Sequence, residues 1–372
     1  MTKKVRVGVI GTSGWAENFY LANLKGYEGV ELAAICGRNR ASAEELAGKY
    51  NVARVYSDFH EMVSSGELDA AIVVTPEDLH YPMVMAALEA DLHVICEKPM
   101  AYTASEAQEM LAKAEAVGVK HMLTFTNRWL PHYQALKRLV DKGYIGQPFH
   151  AYLHWPTGWG RYQEDKYYWY YDAHRAHGAL SELGAHIIDL ARWYLGDVTR
   201  VTANLATFGK RLAPDSSLMA NPTNDSAFLI LEFANGAHAS LHVSAANLNG
   251  AGLKHTGQIT ILHGLEGTLE SCGDPWSDPP RFEITGFRQG METAESLPIP
   301  EDLLGGTEVQ DPFAVFQRLP AGPRHFIDAI LNDTAISPNF HDGYQVQRVI
   351  EAALESAKSG CAVSLAKEQN TI

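Results

Sequence analysis

The chain reads as an α/β protein: a doubly wound parallel sheet in its first third, then a region whose consecutive strands form one antiparallel sheet. Three observations carry this. Apolar runs alternate with helical patterns over the first 125 residues, the pattern of strands buried on both faces by crossover helices. Composition shifts after about residue 147, where strand-like runs follow one another with hardly a helix between them. The length, 372 residues, suits two domains at about 150 residues each.

In chain order, Val5 to Ile10 is a run of β-formers ending at Gly11, and a helical stretch follows to about Lys25. Val30 to Cys36 is a second strand and Ala41 to Tyr50 a helix. Ala70 to Val74 is a strand that stops at Thr75-Pro76, and Leu92 to Cys96 is a strand that runs into Glu97-Lys98-Pro99. Thr103-Ala104-Ser105-Glu106 fits a capping box opening a helix, and His121 to Phe125 is a further strand. Ligands of such a sheet sit beyond the carboxyl ends of its strands. The later strands are Phe149 to Trp155, Val198 to Phe208, Ala227 to Phe233, Ala237 to Ala245, Gln258 to Leu262 and Phe282 to Phe287. Asn235-Gly236 is a hairpin signal between two of them. Helices are expected over Ala179 to Leu195 and Gly343 to Ser359, and a surface loop over Gly273 to Pro280.

Hydrophobic residues make up 46% of the chain and charged residues 20%, an ordinary globular balance. With 30 Lys plus Arg against 44 Asp plus Glu, the formal net charge is −14. That acidity repels phosphate backbones and anionic lipid, which argues against nucleic acid and membrane partners. Cys36, Cys96, Cys272 and Cys361 are far apart, without a C-x-x-C pair, which argues against a zinc ribbon or a dense disulfide framework; Cys36 and Cys96 each end an apolar run and read as reduced and buried. The first apolar run is too short for a signal peptide core and no run reaches a membrane span, so the expected location is cytoplasmic.

Gly11-Thr12-Ser13-Gly14-Trp15-Ala16 closes the first strand and opens the first helix. Small residues there let the backbone approach a pyrophosphate at a helix N-terminus. The spacing is imperfect, with Ser13 at the second glycine position, and a merely structural turn remains the alternative. The acid expected about twenty residues on, for a ribose hydroxyl, is missing. The second strand ends in Cys36-Gly37-Arg38-Asn39-Arg40. Gly37 leaves room where the acid would stand and Arg38 suits a 2′-phosphate; solvated helix-start charges are the alternative.

Lys98 follows a fully apolar strand, at the ligand end of the sheet, with an ordinary Glu–Lys surface pair as the other reading. In Ala179 to Leu190, helical spacing puts Glu182, His186 and Asp189 on one face and Leu183, Ile187 and Leu190 on the next. A carboxylate one turn from a histidine orients the ring and stabilises its protonated form; a core histidine is the alternative. His174 and His177 lie nearby without a third ligand at strict spacing, so no metal is expected. The run Tyr167-Tyr168-Trp169-Tyr170-Tyr171 fits either the apolar face of a sugar or a packed core.

On these residues the chain resembles the glucose–fructose oxidoreductase / inositol dehydrogenase / rhizopine catabolism (Gfo/Idh/MocA) family of NAD(P)-dependent oxidoreductases. The resemblance rests on the glycine turn, Thr75-Pro76 with His80, Glu97-Lys98-Pro99, Asn127-Arg128, the Glu182 to His186 helix, and Ser337-Pro338 with Asp342-Gly343. It implies a Rossmann domain over 1–125 and a substrate-binding and oligomerisation domain over 126–372. The second domain would hold a large, open, mostly antiparallel sheet, and the final helix about 343–359 would pack back toward the first. A homodimer or homotetramer through that sheet is implied.

The resemblance further implies that Lys98 and His186 are the catalytic pair, with Glu182 where the family usually has aspartate. Cofactor contacts would come from Gly11 to Ala16, Gly37, Arg38, Asn39, Thr75, Pro76, His80, Glu97, Lys98 and Asn127, with Glu77 in place of a frequent asparagine. Substrate contacts would come from Lys98, Asn127, Arg128, Trp155, Trp159, Arg161, Asp172, His174, Glu182 and His186, with Tyr152 and His154 as further candidates. NADP is favoured over NAD, and NAD is not excluded. The implied reaction moves hydride between nicotinamide and a secondary alcohol or ketone of a sugar, sugar derivative or polyol. His186 would act as general base, Lys98 would stabilise the alkoxide, and Glu182 would orient the ring. Two alternatives are a glycoside hydrolase that uses bound NAD for transient oxidation, and a dinucleotide-sensing regulator without catalysis.

Overall fold

The computed structural model describes residues 4–162, 164–248, 257–274 and 281–366. The chain divides into two compact units. One comprises the residues up to Thr126 together with Phe313–Gln347, the other Asn127–Pro312 and the residues from Arg348 on. The expected division at 125 gave everything after it to one domain, and 313–347 corrects that. Apolar side chains of this segment bury in the first unit. Phe316 packs edge-on against Phe19 at 4.8 Å and Phe340 against His121 at 4.9 Å, and Tyr27 Oη donates to Asp328 at 2.8 Å.

The first unit holds six strands: β1 (Val5–Ile10), β2 (Val30–Cys36), β3 (Arg54–Tyr56), β4 (Ala70–Val73), β5 (His93–Cys96) and β6 (His121–Leu123). All neighbours run parallel in the order β3-β2-β1-β4-β5-β6. The order reverses between β1 and β4, and such a switch point leaves a crevice beyond the carboxyl ends. β1 and β4 are almost wholly buried, as a sheet covered on both faces requires. The helix Ala104–Val117 starts at the expected Thr103–Glu106 capping box and stops at Gly118, which is left-handed at φ +70°.

The second unit is built on nine strands: β7 (Pro148–Pro156), β8 (Val198–Ala206), β9 (Ser226–Phe233), β10 (His238–Ser244), β11 (Gln258–Gly264), β12 (Gly267–Asp274), β13 (Arg281–Arg288), β14 (Glu295–Ser296) and β15 (Val363–Ser364). Their order is β14-β13-β12-β11-β7-β10-β9-β8-β15. Every neighbouring pair is antiparallel except β7 and β10, which run parallel. The sheet is therefore mixed and mostly antiparallel, as expected. A parallel pair needs a long crossover, and the chain passes through the helix Ala185–Leu195, β8 and β9 before it returns as β10. The Asn235-Gly236 hairpin forms as expected, with Gly236 at φ +86°. The Gly273 to Pro280 loop falls largely outside the described residues; Gly273 and Asp274 themselves end β12.

Strand alternation sorts this sheet into two faces. In β9, Ala227, Leu229, Leu231 and Phe233 are buried while Phe228, Ile230 and Glu232 are exposed. The helices Ala185–Leu195 and Pro131–Asp141 pack against the buried face. The helices Pro131–Asp141 and Pro323–Asn332 escaped the sequence reading, although each opens with Pro in its first turn. Among the described residues no helix is long and apolar enough to cross a membrane.

His132 lies in the first of these helices, buried against Tyr133 and Phe282, and neither ring nitrogen has a hydrogen-bond partner. Burial pushes its pKa down to about 3. The unfolded chain protonates this ring near pH 6.5 while the folded chain holds it neutral down to about pH 3, so acid favours unfolding across that window. Urea unfolding from pH 7 to pH 4 will show His132→Leu losing stability less steeply than the native chain. The difference between the two curves grows by about 1.4 kcal/mol per pH unit below roughly pH 6; parallel curves would contradict the assignment.

Candidate active site

The first unit brings four turns, after β1, β2, β4 and β5, to the carboxyl ends of its strands. After β1, Gly11 sits at φ +126°, and a Cβ there would stand 2.1 Å from the Val74 carbonyl oxygen. Only glycine tolerates both the conformation and the approach. Ser13, at the position where a second glycine was expected, has a structural reason: its Oγ accepts from Ala16 N at 3.1 Å and caps the helix. The helix then takes a π turn over Ala16–Leu21, and such turns concentrate at functional sites. After β2, a Cβ on Gly37 would lie 2.5 Å from the Thr12 methyl. An acid is therefore excluded at Gly37 by Thr12 itself. Asn39 caps the helix Arg40–Tyr50, and Arg40 pairs with Glu44. Arg38 is exposed and makes no ion pair among the described residues.

After β5, Glu97 is buried and ties the turn to the first helix. Its Oε1 accepts from Trp15 Nε1 and from Tyr20 Oη, each at 2.6 Å, and its Oε2 accepts from the Lys98 amide at 3.1 Å. Burial raises the Glu97 pKa, while the Tyr20 hydroxyl, the Lys98 charge and the Trp15 N–H pull it back down. Glu97 thus belongs to the frame of the turn. Lys98 is half-buried on that turn, joined to Pro99 by a cis bond. His80 was expected to contact cofactor. It is buried instead, with Nδ1 2.8 Å from the Pro99 oxygen and Nε2 2.9 Å from the Thr75 oxygen, so neither nitrogen faces a ligand. Thr75 Oγ1 is buried beside Pro76 without a hydrogen-bond partner.

In the second unit, Arg128 does not face a substrate as expected. It is buried and makes a two-pronged ion pair with buried Asp189, through Nε at 2.8 Å and Nη2 at 2.5 Å. Asp189, three residues after His186 on the same helix, is therefore taken up by a buried ion pair. Asn127 is also buried and donates from Nδ2 to Gln258 Oε1 at 3.2 Å. The expected continuous helix from Ala179 is interrupted: Leu180–Gly184 is a π turn carrying half-buried Glu182, and the α-helix Ala185–Leu195 carries His186. His186 is buried and meets Trp155 edge-on at 5.8 Å.

The remaining candidates scatter. Tyr152 and His154 project from the opposite face of β7 to Trp155, where His154 lies against His242, so they do not join His186. Trp159 packs against Tyr170 at 5.2 Å. Tyr171 is buried beneath Arg211, whose guanidinium lies 3.8 Å from the ring and pairs with buried Asp225 at 2.6 Å. That end of the aromatic run is core. Arg161 and His174 are exposed, and half-buried Asp172 accepts from the His174 amide at 3.0 Å. Gln258 was missed, although a polar residue at an inward position of an alternating strand breaks the pattern. Among the described residues no cluster of His, Cys, Asp and Glu suits a metal ion.

These features fit a dinucleotide. The Gly11 cradle would be filled by any Cβ, the first helix opens directly beyond that turn, Arg38 is an exposed cation at the end of β2, and Thr75 Oγ1 awaits a partner at the end of β4. Residues 5–125 match the oxidoreductase family with an NAD-binding Rossmann fold, and residues 133–270 match the GFO/IDH/MocA C-terminal domain. D-apiose dehydrogenase of Paraburkholderia graminis is 27% identical over 98% of this chain and 90% of its own. D-glucoside 3-dehydrogenase of Escherichia coli is 26% identical over 97% of each. Among solved structures, levoglucosan dehydrogenase in complex with NADH and levoglucosan shares the fold at TM-score 0.84 and 23% identity, covering 98% of this chain and 100% of that one.

Gly11→Ala tests the first turn. The added methyl meets the Val74 carbonyl in a conformation alanine rarely adopts, so the variant will lose about 3 kcal/mol or more in urea unfolding. A loss below about 0.5 kcal/mol would show that the turn relaxes.

Proposed function

The chain belongs to the Gfo/Idh/MocA oxidoreductase family, and from that premise we propose that it catalyses reversible oxidation of a secondary alcohol on a sugar, sugar derivative or polyol. The observation that carries the reading is the Lys98 turn. A half-buried lysine stands at the carboxyl end of β5 in a sheet whose first turn is shaped for a dinucleotide, and its backbone is held by a buried carboxyl. Relatives aligned over nearly the whole chain are named as dehydrogenases of apiose and of glucosides, which supports the substrate class.

Nicotinamide, when bound, accepts or returns the hydride. In our reading, Gly11 to Ala16 and Thr75 hold the dinucleotide, and Pro76 shapes the turn beside it. The Lys98 ammonium stabilises negative charge on the substrate oxygen as its proton leaves. His186 takes that proton, and the burial of its Nδ1 supports Nε2 as the atom that does so. Glu182, on the π turn before His186, sets the charge around the ring. Trp155 against His186 offers an aromatic face to the apolar side of a sugar.

A panel of sugars and polyols with both cofactors, followed by reduced nicotinamide absorbance, will show turnover on a secondary alcohol. Lys98→Ala will lower kcat by roughly 100-fold or more while leaving the fold intact. Near-normal turnover of this variant would remove Lys98 from the chemistry, and cleavage of a nitrophenyl glycoside without net reduction would replace dehydrogenation with hydrolysis. Arg38 supports a preference for NADP: in fluorescence titration the native chain will bind NADPH more tightly than NADH, and Arg38→Ala will weaken NADPH by about tenfold while leaving NADH unchanged. Equal affinity of the native chain for both would defeat this preference.

A further inference from the structure

His80 is one of the most deeply buried polar side chains of the first unit, at 1% exposure. It opens the helix His80–Glu89, and its ring lies between two strand-end turns. Nδ1 is 2.8 Å from the Pro99 carbonyl oxygen and Nε2 is 2.9 Å from the Thr75 carbonyl oxygen. A carbonyl oxygen only accepts hydrogen bonds, and a neutral imidazole has a single N–H to donate. In either neutral tautomer one ring lone pair would face a carbonyl lone pair at hydrogen-bonding distance. The doubly protonated ring alone satisfies both acceptors.

We propose that His80 is a permanently charged imidazolium at neutral pH, a positioning residue that clamps the Thr75-Pro76 turn to the Lys98-Pro99 turn. A buried cation needs compensation, and at the N-terminus of a helix the dipole opposes it. Two charge-assisted hydrogen bonds act in its favour. Each turn it joins also carries a buried carboxyl, Glu77 beyond β4 and Glu97 beyond β5. The other ionisable side chains on the elements packed around it are Asp78, Tyr81, Glu89 and Lys98, with His93 and Cys96 on β5, His60 and Glu61 on Phe59–Val63, and Glu106, Glu109, Lys113 and Glu115 on Ala104–Val117. Carboxyls predominate in that set, so the field favours the charged ring. The clamp fixes the backbone that carries Lys98 against the backbone of Thr75. Its consequence for turnover rests on the function proposed above; the charge state does not.

The test is the protonation state of His80 in the native chain. Long-range ¹H–¹⁵N correlation spectra of histidine-labelled protein will show one imidazole with both nitrogens protonated at about pH 8.5, where an ordinary histidine is only roughly 1% charged. The signal will be missing from His80→Gln. A native spectrum in which every histidine is neutral at that pH, or a signal that persists in His80→Gln, would overturn the proposal. Should His80→Gln not fold, neutron diffraction from the native chain decides the same point by deuterium on both or on one of the ring nitrogens. Once a substrate is known, folded His80→Gln will lose kcat at least tenfold with little change in KM, as a displaced Lys98 requires; unchanged kcat would reduce His80 to a structural role. Lack of sugar oxidation by the native chain would sink the proposed function and leave the spectra to judge His80 alone.

Discussion

One buried carboxyl organises the ligand end of the first sheet. Glu97 receives the Trp15 indole N–H, the Tyr20 hydroxyl and the Lys98 amide, and Tyr20 reaches on to Thr124 Oγ1 at 2.6 Å. The stretches after β1 and after β5 therefore meet at Glu97, and Tyr20 ties in a third, after β6. Burial of an acid is costly unless its oxygens are bonded, which makes the arrangement all or nothing: removal of one donor leaves the rest short. The same burial holds the Tyr20 hydroxyl well above its ordinary pKa, so Tyr20 remains a donor to Glu97. A turn anchored in this way suits a lysine whose charge must be presented without rearrangement.

The second unit deals with its charges differently. Buried arginines are tolerable only with partners, and Arg128 and Arg211 have theirs in Asp189 and Asp225. Each pair fixes local structure. Arg128 holds the Thr126–Trp129 turn to the helix Ala185–Leu195, and Asp225 also accepts from the amides of Phe208 and Gly209, each at 2.7 Å. In a chain of net charge −14, an arginine with a buried acid beside it is not available to an anionic ligand. Exposed Arg38 stands apart from these two for that reason.

Much of the first unit is legible in the sequence because its signals are local. The glycine turn, the Thr103–Glu106 capping box and the apolar strands each depend on residues a few positions apart. The opposite failures share one cause. Arg128 and Asp189 are 61 positions apart, and His80 and Pro99 are 19 apart, so nothing in the pattern around either residue announces the partner. The same holds for Thr12 against Gly37, where the missing acid has a steric cause that only packing reveals. β12 and the parallel pairing of β7 with β10 were unreadable for a related reason: strand partners are chosen by long-range register, which one strand does not encode alone.

The residues by themselves determined the fold class, the Rossmann half with its turns in order, and the family. Those follow from periodicity, turn chemistry and short motifs, which act over a few residues. Tertiary structure decided which of the polar candidates remain open to a ligand. It withdrew Arg128, His80, Asn127 and Tyr171 into hydrogen bonds and core contacts, and it placed Tyr152 and His154 on the far face of β7 from His186. It left Arg38 exposed and Lys98 half-buried. The physical reason is that a buried polar group must find its partner wherever the chain brings one, and that place is set by the packing of distant segments rather than by the local sequence.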